Sequence, residues 1–139
     1  MKEINQELDY YERFWKRELK GKSPFHGLPD WRENLKKRLD FFKEVIKGKI
    51  LDAGCGEGHF VMTISQLPNV EEVYGVDISK RIISECNKKA KKNKFYSKIK
   101  FHTGSVTNLP FMDKSFDSVF AFEIVEHVVD TEKMFYEFN

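Results

Sequence analysis

Chemistry in this chain concentrates first in Asp52-Ala53-Gly54-Cys55-Gly56-Glu57-Gly58, where three glycines stand at alternate positions behind an aspartate. Such glycines let the backbone turn sharply and approach a ligand with no Cβ in the way. If a helix follows, its N-terminal amide groups favour an anion or a polar ligand. The loop therefore suits a nucleotide-like ligand, with a ligand-free glycine turn as the bland alternative. A nicotinamide or flavin site would carry G-x-G-x-x-G at this place, but the sixth position here is His59. Asp77 lies 19 residues after Gly58. A carboxylate there can accept hydrogen bonds from both hydroxyls of a ribose, without choosing the cofactor, or can simply cap the next helix. A third group, Glu123-Ile124-Val125-Glu126-His127, holds an imidazole able to take a proton near neutral pH. On a helix Glu123 and His127 stand one turn apart and can pair, whether for chemistry or only to stabilise the loop, while Glu126 points elsewhere.

The elements that must position these residues follow from periodicity. Residues 3 to 20 interleave charges with Leu8, Tyr11, Phe14, Trp15 and Leu19, a helical stripe. Tyr10, Tyr11, Phe14 and Trp15 form either a lid over a ligand or core packing. Lys22 to Pro29 breaks that helix, and Asp30 with Glu33 resembles a capping box. Leu35, Leu39, Phe42 and Ile46 predict a second helix closed by Gly48. Beyond it KILDAG reads as a buried strand, and a helix runs through Phe60, Val61, Ile64 and Leu67. EVYGVD is a second strand, Ser79 caps a helix carrying Ile82, Ile83, Cys86 and Ala90, Ile99 to Thr103 is a third strand and Phe116 to Phe122 a fourth. Strands alternating with helices predict α/β architecture: parallel βαβ units in a doubly wound sheet, preceded by two helices.

Composition narrows the setting. The 139 residues can bury one core, and 24 basic against 22 acidic side chains give a formal charge of +2. That near-balance gives no evident nucleic-acid partner, and the KKAKKNK run at residues 88 to 94 reads as the solvated end of a helix. No apolar run is long enough to span a bilayer, the N-terminus lacks a signal-peptide core, and no metal site is expected. Cys55 and Cys86 read as small buried fillers, so a soluble cytoplasmic protein is the expectation.

Taken together, ILDAGCGEGHF, VYGVDIS, IKFHTGSVTNLPF, DKSFDSVFAFE and EIVEHVVD resemble, in order and spacing, successive motifs of the class I S-adenosylmethionine-dependent methyltransferases. The resemblance is greatest to the small-molecule group containing the ubiquinone and menaquinone biosynthesis enzymes, and covers residues 48 to about 130. It implies a Rossmann-like fold, S-adenosyl-L-methionine as cofactor and a small-molecule methyl acceptor. It further implies that Asp52 and Gly54, Cys55, Gly56 and Gly58 hold the methionine end, Asp77 the ribose hydroxyls, Ile78 a face of the adenine, and Ser105 and Val106 its edge. The family usually has an aspartate at the position of Ser105. Glu123 then counts among the cofactor-binding residues, beside the sulfonium methyl, and His127 is the candidate catalytic base, although methyl transfer needs alignment and water exclusion more than a base. Whether the acceptor atom is oxygen, nitrogen or carbon stays open.

Residues 1–47 are expected to form a helical segment and candidate lid, and residues 48–139 a cofactor-binding domain incomplete at its C-terminus, since the family's sheet has further strands after the fourth. An inactive cofactor-binding or partner-binding fragment is the alternative to an active enzyme. DSVFAFE would then be an apolar edge strand, which invites pairing between chains. We expect residues 1–139 alone to self-associate along that strand or to be marginally stable, without methyl transfer; light scattering showing a monodisperse, cooperatively melting and active monomer would refute this.

Overall fold

The computed structural model describes residues 31–139. The aromatic stripe of residues 3 to 20, the break at Lys22 to Pro29 and the Asp30 cap therefore lie outside the described residues. Residues 46–139 form one compact unit, and the helix α1 (Trp31–Phe42) belongs to the preceding one. Within α1, Leu35 and Leu39 are half-buried while Phe41 is exposed. The helix stops at Phe42, short of the expected Ile46, and Val45 N–H closes a turn on the Phe42 carbonyl at 2.9 Å.

Four parallel strands build the compact unit: β1 (Gly48–Ala53), β2 (Val70–Asp77), β3 (Ile99–Thr103) and β4 (Ser118–Phe120), in the order β3-β2-β1-β4. Between them run α2 (His59–Ile64), α3 (Lys80–Ala90) and α4 (Thr131–Glu137), with short 3-10 turns at Tyr96–Lys98 and Val125–His127. The central strands are covered on both faces, which requires near-continuous apolar sequence. Accordingly Ile50, Leu51, Ala53, Val73 and Val76 are fully buried. The register places Ile50 against Val73 and Ser118, and Asp52 against Gly75 and Phe120.

Alternation along the strands separates two layers. On one face Leu51, Ala53, Tyr74 and Val76 pack with Val106 and with Met134 of α4, flanked by Phe111, Phe116 and Ile124. On the other, Phe101 lies close to Cys86 of α3 beneath Gly58, and Phe60 of α2 meets Phe120 edge-on at 5.2 Å. Toward the strand N-termini the first face turns polar. The ammonium groups of Lys49 and Lys100 stand over the Tyr74 ring at 4.9 and 5.0 Å and both pair with Glu72. The hydrogen bond from Lys100 holds the Glu72 carboxyl below its ordinary pKa.

Two expectations are corrected here. Gly48 is not a helix C-cap; it opens β1 with φ +67°, donating from its N–H to the Asn69 carbonyl at 2.7 Å. Its Cβ would collide with the Asp117 carboxylate, which accepts the Lys49 N–H at 2.7 Å. The fourth strand is also shorter than Phe116 to Phe122. β1 offers partners only from Ile50 to Asp52, and beyond Phe120 the chain turns so that Phe122 meets Phe60 at 5.0 Å.

Met134 anchors α4 and is fully buried. Truncating such a side chain loses its transfer free energy and leaves a cavity, so Met134→Ala is expected to cost about 2–5 kcal/mol. Thermal or urea unfolding checks this; a loss within about 0.5 kcal/mol, as surface changes give, would show that α4 is not held by this contact.

Candidate functional site

The carboxyl ends of all four strands meet at one edge of the sheet, where open α/β sheets bind ligands. Asp52 ends the apolar part of β1, only 3% exposed, and the glycine loop follows it. Gly54, Gly56 and Gly58 all take left-handed φ values, of 79°, 49° and 73°. Two of them are also sterically required. A Cβ on Gly54 would come within 2.7 Å of Ile124, and one on Gly58 within 2.6 Å of Phe101. The loop is sutured to β2, since the N–H groups of Gly54 and Cys55 both donate to the Val76 carbonyl at 2.8 and 2.9 Å.

Asp77, at the end of β2, is buried and joins loop to helix. One carboxylate oxygen accepts the Gly56 N–H at 3.1 Å and the other the Ser79 N–H at 2.9 Å. Ser79, not Asp77, is the side-chain cap of α3, accepting the Ile82 N–H at 3.3 Å. The Gly56 peptide is held from its other side too: its carbonyl accepts the Cys86 thiol at 3.2 Å and, at a longer 3.8 Å, the Cys55 thiol. Glu57, buried inside the loop, pairs with Lys89 at 3.5 Å and His59 at 3.2 Å. Periodicity gave no sign of these two anchors, because Cys86 and Lys89 come from a helix about thirty residues downstream.

At the end of β3 the Gly104 N–H donates to the Asp77 carbonyl at 3.0 Å, which sets Ser105 beside the β2 end. The Ser105 hydroxyl lies 2.8 Å from that of Thr107 and accepts the Thr107 N–H at 3.2 Å. Val106 turns its side chain into the core with Val76 and Met134, and Ile78 is half-buried next to Asp77. After β4, Glu123 has φ +54°, a left-handed backbone that a non-glycine residue adopts at some cost. This corrects the helical geometry expected between Glu123 and His127. The left-handed residue interrupts helical geometry, and only the 3-10 turn Val125–His127 follows, with Glu123, Glu126 and His127 exposed. The structure thus brings Asp52, the glycine loop, Asp77 and Ile78 into one constellation, with Ser105 on one flank and Glu123 and His127 on the other, where Ile124 packs over Gly54.

Burial dominates the electrostatics of the loop. It pushes the Cys86 thiol up to about 12, with the carboxylates of Asp77, Glu57 and Asp52 adding to the effect. Cys55 is likewise raised, by burial first and then by Asp52 and Asp77. Both side chains are buried neutral groups, as expected of small fillers. Among the described residues no cluster of three or more His, Cys, Asp or Glu could hold a metal, and no helix is long and apolar enough to cross a membrane.

A four-stranded parallel sheet with a glycine loop after β1 and an acidic residue after β2 defines a Rossmann-like nucleotide-binding domain. The family model described as a methyltransferase domain matches residues 46–139. An uncharacterized methyltransferase of Bacillus subtilis, YcgJ, is 33% identical over 85 residues, 61% of this chain and 32% of that protein. The demethylmenaquinone methyltransferase of Geobacillus is 34% identical over 91 residues, 64% of this chain and 37% of the enzyme. The crystal structure of YcgJ superposes with a TM-score of 0.67 at 28% identity, covering 76% of this chain and 44% of that one. That of a putative S-adenosyl-L-methionine-dependent methyltransferase from Methanococcus maripaludis gives 0.65 at 20% identity, covering 74% and 46%, and speaks for the fold alone. The chain belongs to the methyltransferase-domain family, with the Rossmann-like fold of the class I S-adenosylmethionine-dependent enzymes. It spans about a third of the length of these curated relatives and less than half of the solved chains.

The thiols give a pH test of the loop. A cysteine whose folded pKa is raised contributes stability that is complete below its ordinary value of 9.0 and is lost as pH rises toward about 12, because the unfolded chain releases its proton first. Melting of the protein and of Cys86→Ala across that window is therefore expected to show the gap between them narrowing as pH rises. Curves that stay parallel would mean that Cys86 does not titrate as a buried group.

Proposed function

We propose that this chain is the S-adenosylmethionine-binding part of a methyltransferase acting on a small-molecule acceptor. The observation that carries the reading is Gly56, its N–H held by Asp77 and its carbonyl by Cys86, which joins the loop after β1 to the carboxylate at the end of β2. In this reading Asp52, Gly54, Cys55, Gly56 and Gly58 line the methionine end. Asp77 binds the ribose hydroxyls. A carboxylate has about four acceptor sites, so one that holds backbone amides can also accept from a ligand's hydroxyls. Ile78 lies against the base, Ser105 and the Val106 backbone lie at its edge, and Glu123 flanks the reacting end.

When bound, S-adenosylmethionine supplies a methyl group attached to a positively charged sulfur. The chain's contribution is to orient that end at the mouth of β1 and to keep water from it, the requirements of an in-line displacement at carbon. His127, exposed after β4, takes the acceptor's proton where the acceptor is a hydroxyl or an ammonium group. A relative named for demethylmenaquinone and another named a norajmaline N-methyltransferase of Rauvolfia serpentina, 32% identical over 88 residues, favour a small organic acceptor. An inactive cofactor-binding or partner-binding module is the second reading, favoured by the edge position of β4 in the sheet. A cytoplasmic setting suits both readings.

Calorimetry with S-adenosylhomocysteine and NADH tests the reading. The expected outcome is binding of the first without competition from the second, and NADH binding alone would overturn it. Asp77→Ala removes a charged acceptor and is expected to weaken cofactor binding by about tenfold to a hundredfold. Because the same carboxylate ties Gly56 to Ser79, the melting temperature falls as well. A lower melting temperature with unchanged affinity would reduce Asp77 to a structural tie.

A further inference from the structure

Resting on that reading, the second half of the glycine loop owes its shape to the far end of α3. Gly54 and Cys55 are sutured to β2, but Gly56 and Gly58, both with left-handed φ, flank Glu57 and lend it little stiffness of their own. Two ties reach this half from one helix. The Gly56 carbonyl accepts the Cys86 thiol at 3.2 Å, and the Glu57 carboxylate pairs with the Lys89 ammonium at 3.5 Å. Cys86 and Lys89 are three residues apart on α3, so they share a face and meet two consecutive loop residues.

The two ends of the ion pair are unequal. The Glu57 side chain is only 5% exposed, whereas that of Lys89 is 40% exposed. A lysine freed of its partner is therefore rehydrated, but a buried carboxylate left without its cation is drawn toward water. Moving Glu57 moves its neighbour Gly56, whose N–H donates to Asp77 at 3.1 Å. We propose that Lys89 is a positioning residue for the cofactor: acting through Glu57 from the last turn of α3, it holds the loop in its ligand-binding shape.

Lys88, one residue earlier, supplies the contrast. It carries the same charge in the same turn, but pairs with Glu85 at 2.7 Å on the surface. Exposed pairs of this kind contribute little. A general field acting on an anionic ligand would be shared by both lysines, while a tie through Glu57 belongs to Lys89 and not to Lys88.

Isothermal titration of the full chain with S-adenosylhomocysteine, well below the melting temperature of each variant, tests this. K89M is expected to weaken binding by at least about tenfold, while K88M and the cation-retaining K89R stay within about threefold of the unaltered protein. Adding E57Q to K89M removes the stranded charge and is expected to regain most of the loss, which a double-mutant cycle reads as non-additivity. A folded K89M that binds like the unaltered protein, or a K88M that weakens binding as much, would overturn the inference and leave the methyltransferase reading standing. So would a K89M/E57Q variant that binds no better than K89M. Should K89M not melt cooperatively, K89Q takes its place; failure of both would make the pair a prop of the whole domain and overturn the inference. Absence of binding to the unaltered protein would overturn both.

Discussion

The site depends on the Asp77 carboxylate, because it ties the glycine loop to the start of α3. Its two oxygens take N–H groups from Gly56 and Ser79, residues 23 positions apart in the chain. A buried carboxylate needs such donors, since an ion removed from water without hydrogen bonds is costly. The loop in turn needs an acceptor, because left-handed glycines aim their amides away from regular ladders. Each requirement meets the other, so the aspartate and the loop conformation support one another. The Cys86 thiol on the Gly56 carbonyl extends the same arrangement to the middle of α3.

Close approach explains why glycine recurs around that tie. Gly58 and Gly75 both leave room for the Phe101 ring, which lies within 2.6 Å of a Cβ built at either position. Gly75 also makes room for the Cys55 sulfur, 2.9 Å from its hypothetical Cβ. Phe101 thus fills the space under the loop from β3, and the loop sits on the sheet because one strand, at Gly75, and one helix start, at Gly58, lack side chains there. Packing and ligand approach therefore select the same residue type for different reasons, and a glycine pattern alone does not separate them.

This bears on what was legible in the sequence. The third strand was read with the bounds the structure shows, and the first two nearly so, because central parallel strands are apolar on both faces and stand out from amphipathic helices. Ser79 was recognisable as a cap because capping acts over three residues. The misread positions depend on distant partners. Gly48 serves β1 because Asp117, far along the chain, fills the space a side chain would occupy. The fourth strand ends where β1 stops offering partners, a length set by pairing and not by the apolar run. Glu57 is buried with Lys89, from the far end of α3, and His59 paired to it, a partnership that loop spacing does not announce.

The segment after β4 carries the remaining constraint. Ile124 must lie over Gly54, where it packs against the first face of the core, and the chain must then turn into the 3-10 turn that leads to α4. Both demands fall on the residue between strand and Ile124, which is Glu123, and the left-handed backbone there is the geometric answer. Glycine would adopt that conformation more readily. A carboxylate kept at an unfavourable φ, beside the glycine loop and ahead of the exposed His127, is the pattern expected when side-chain chemistry outweighs local backbone preference. In the proposed function this strained position lies at the β4 end of the site, on the side from which the acceptor is proposed to meet the methyl group.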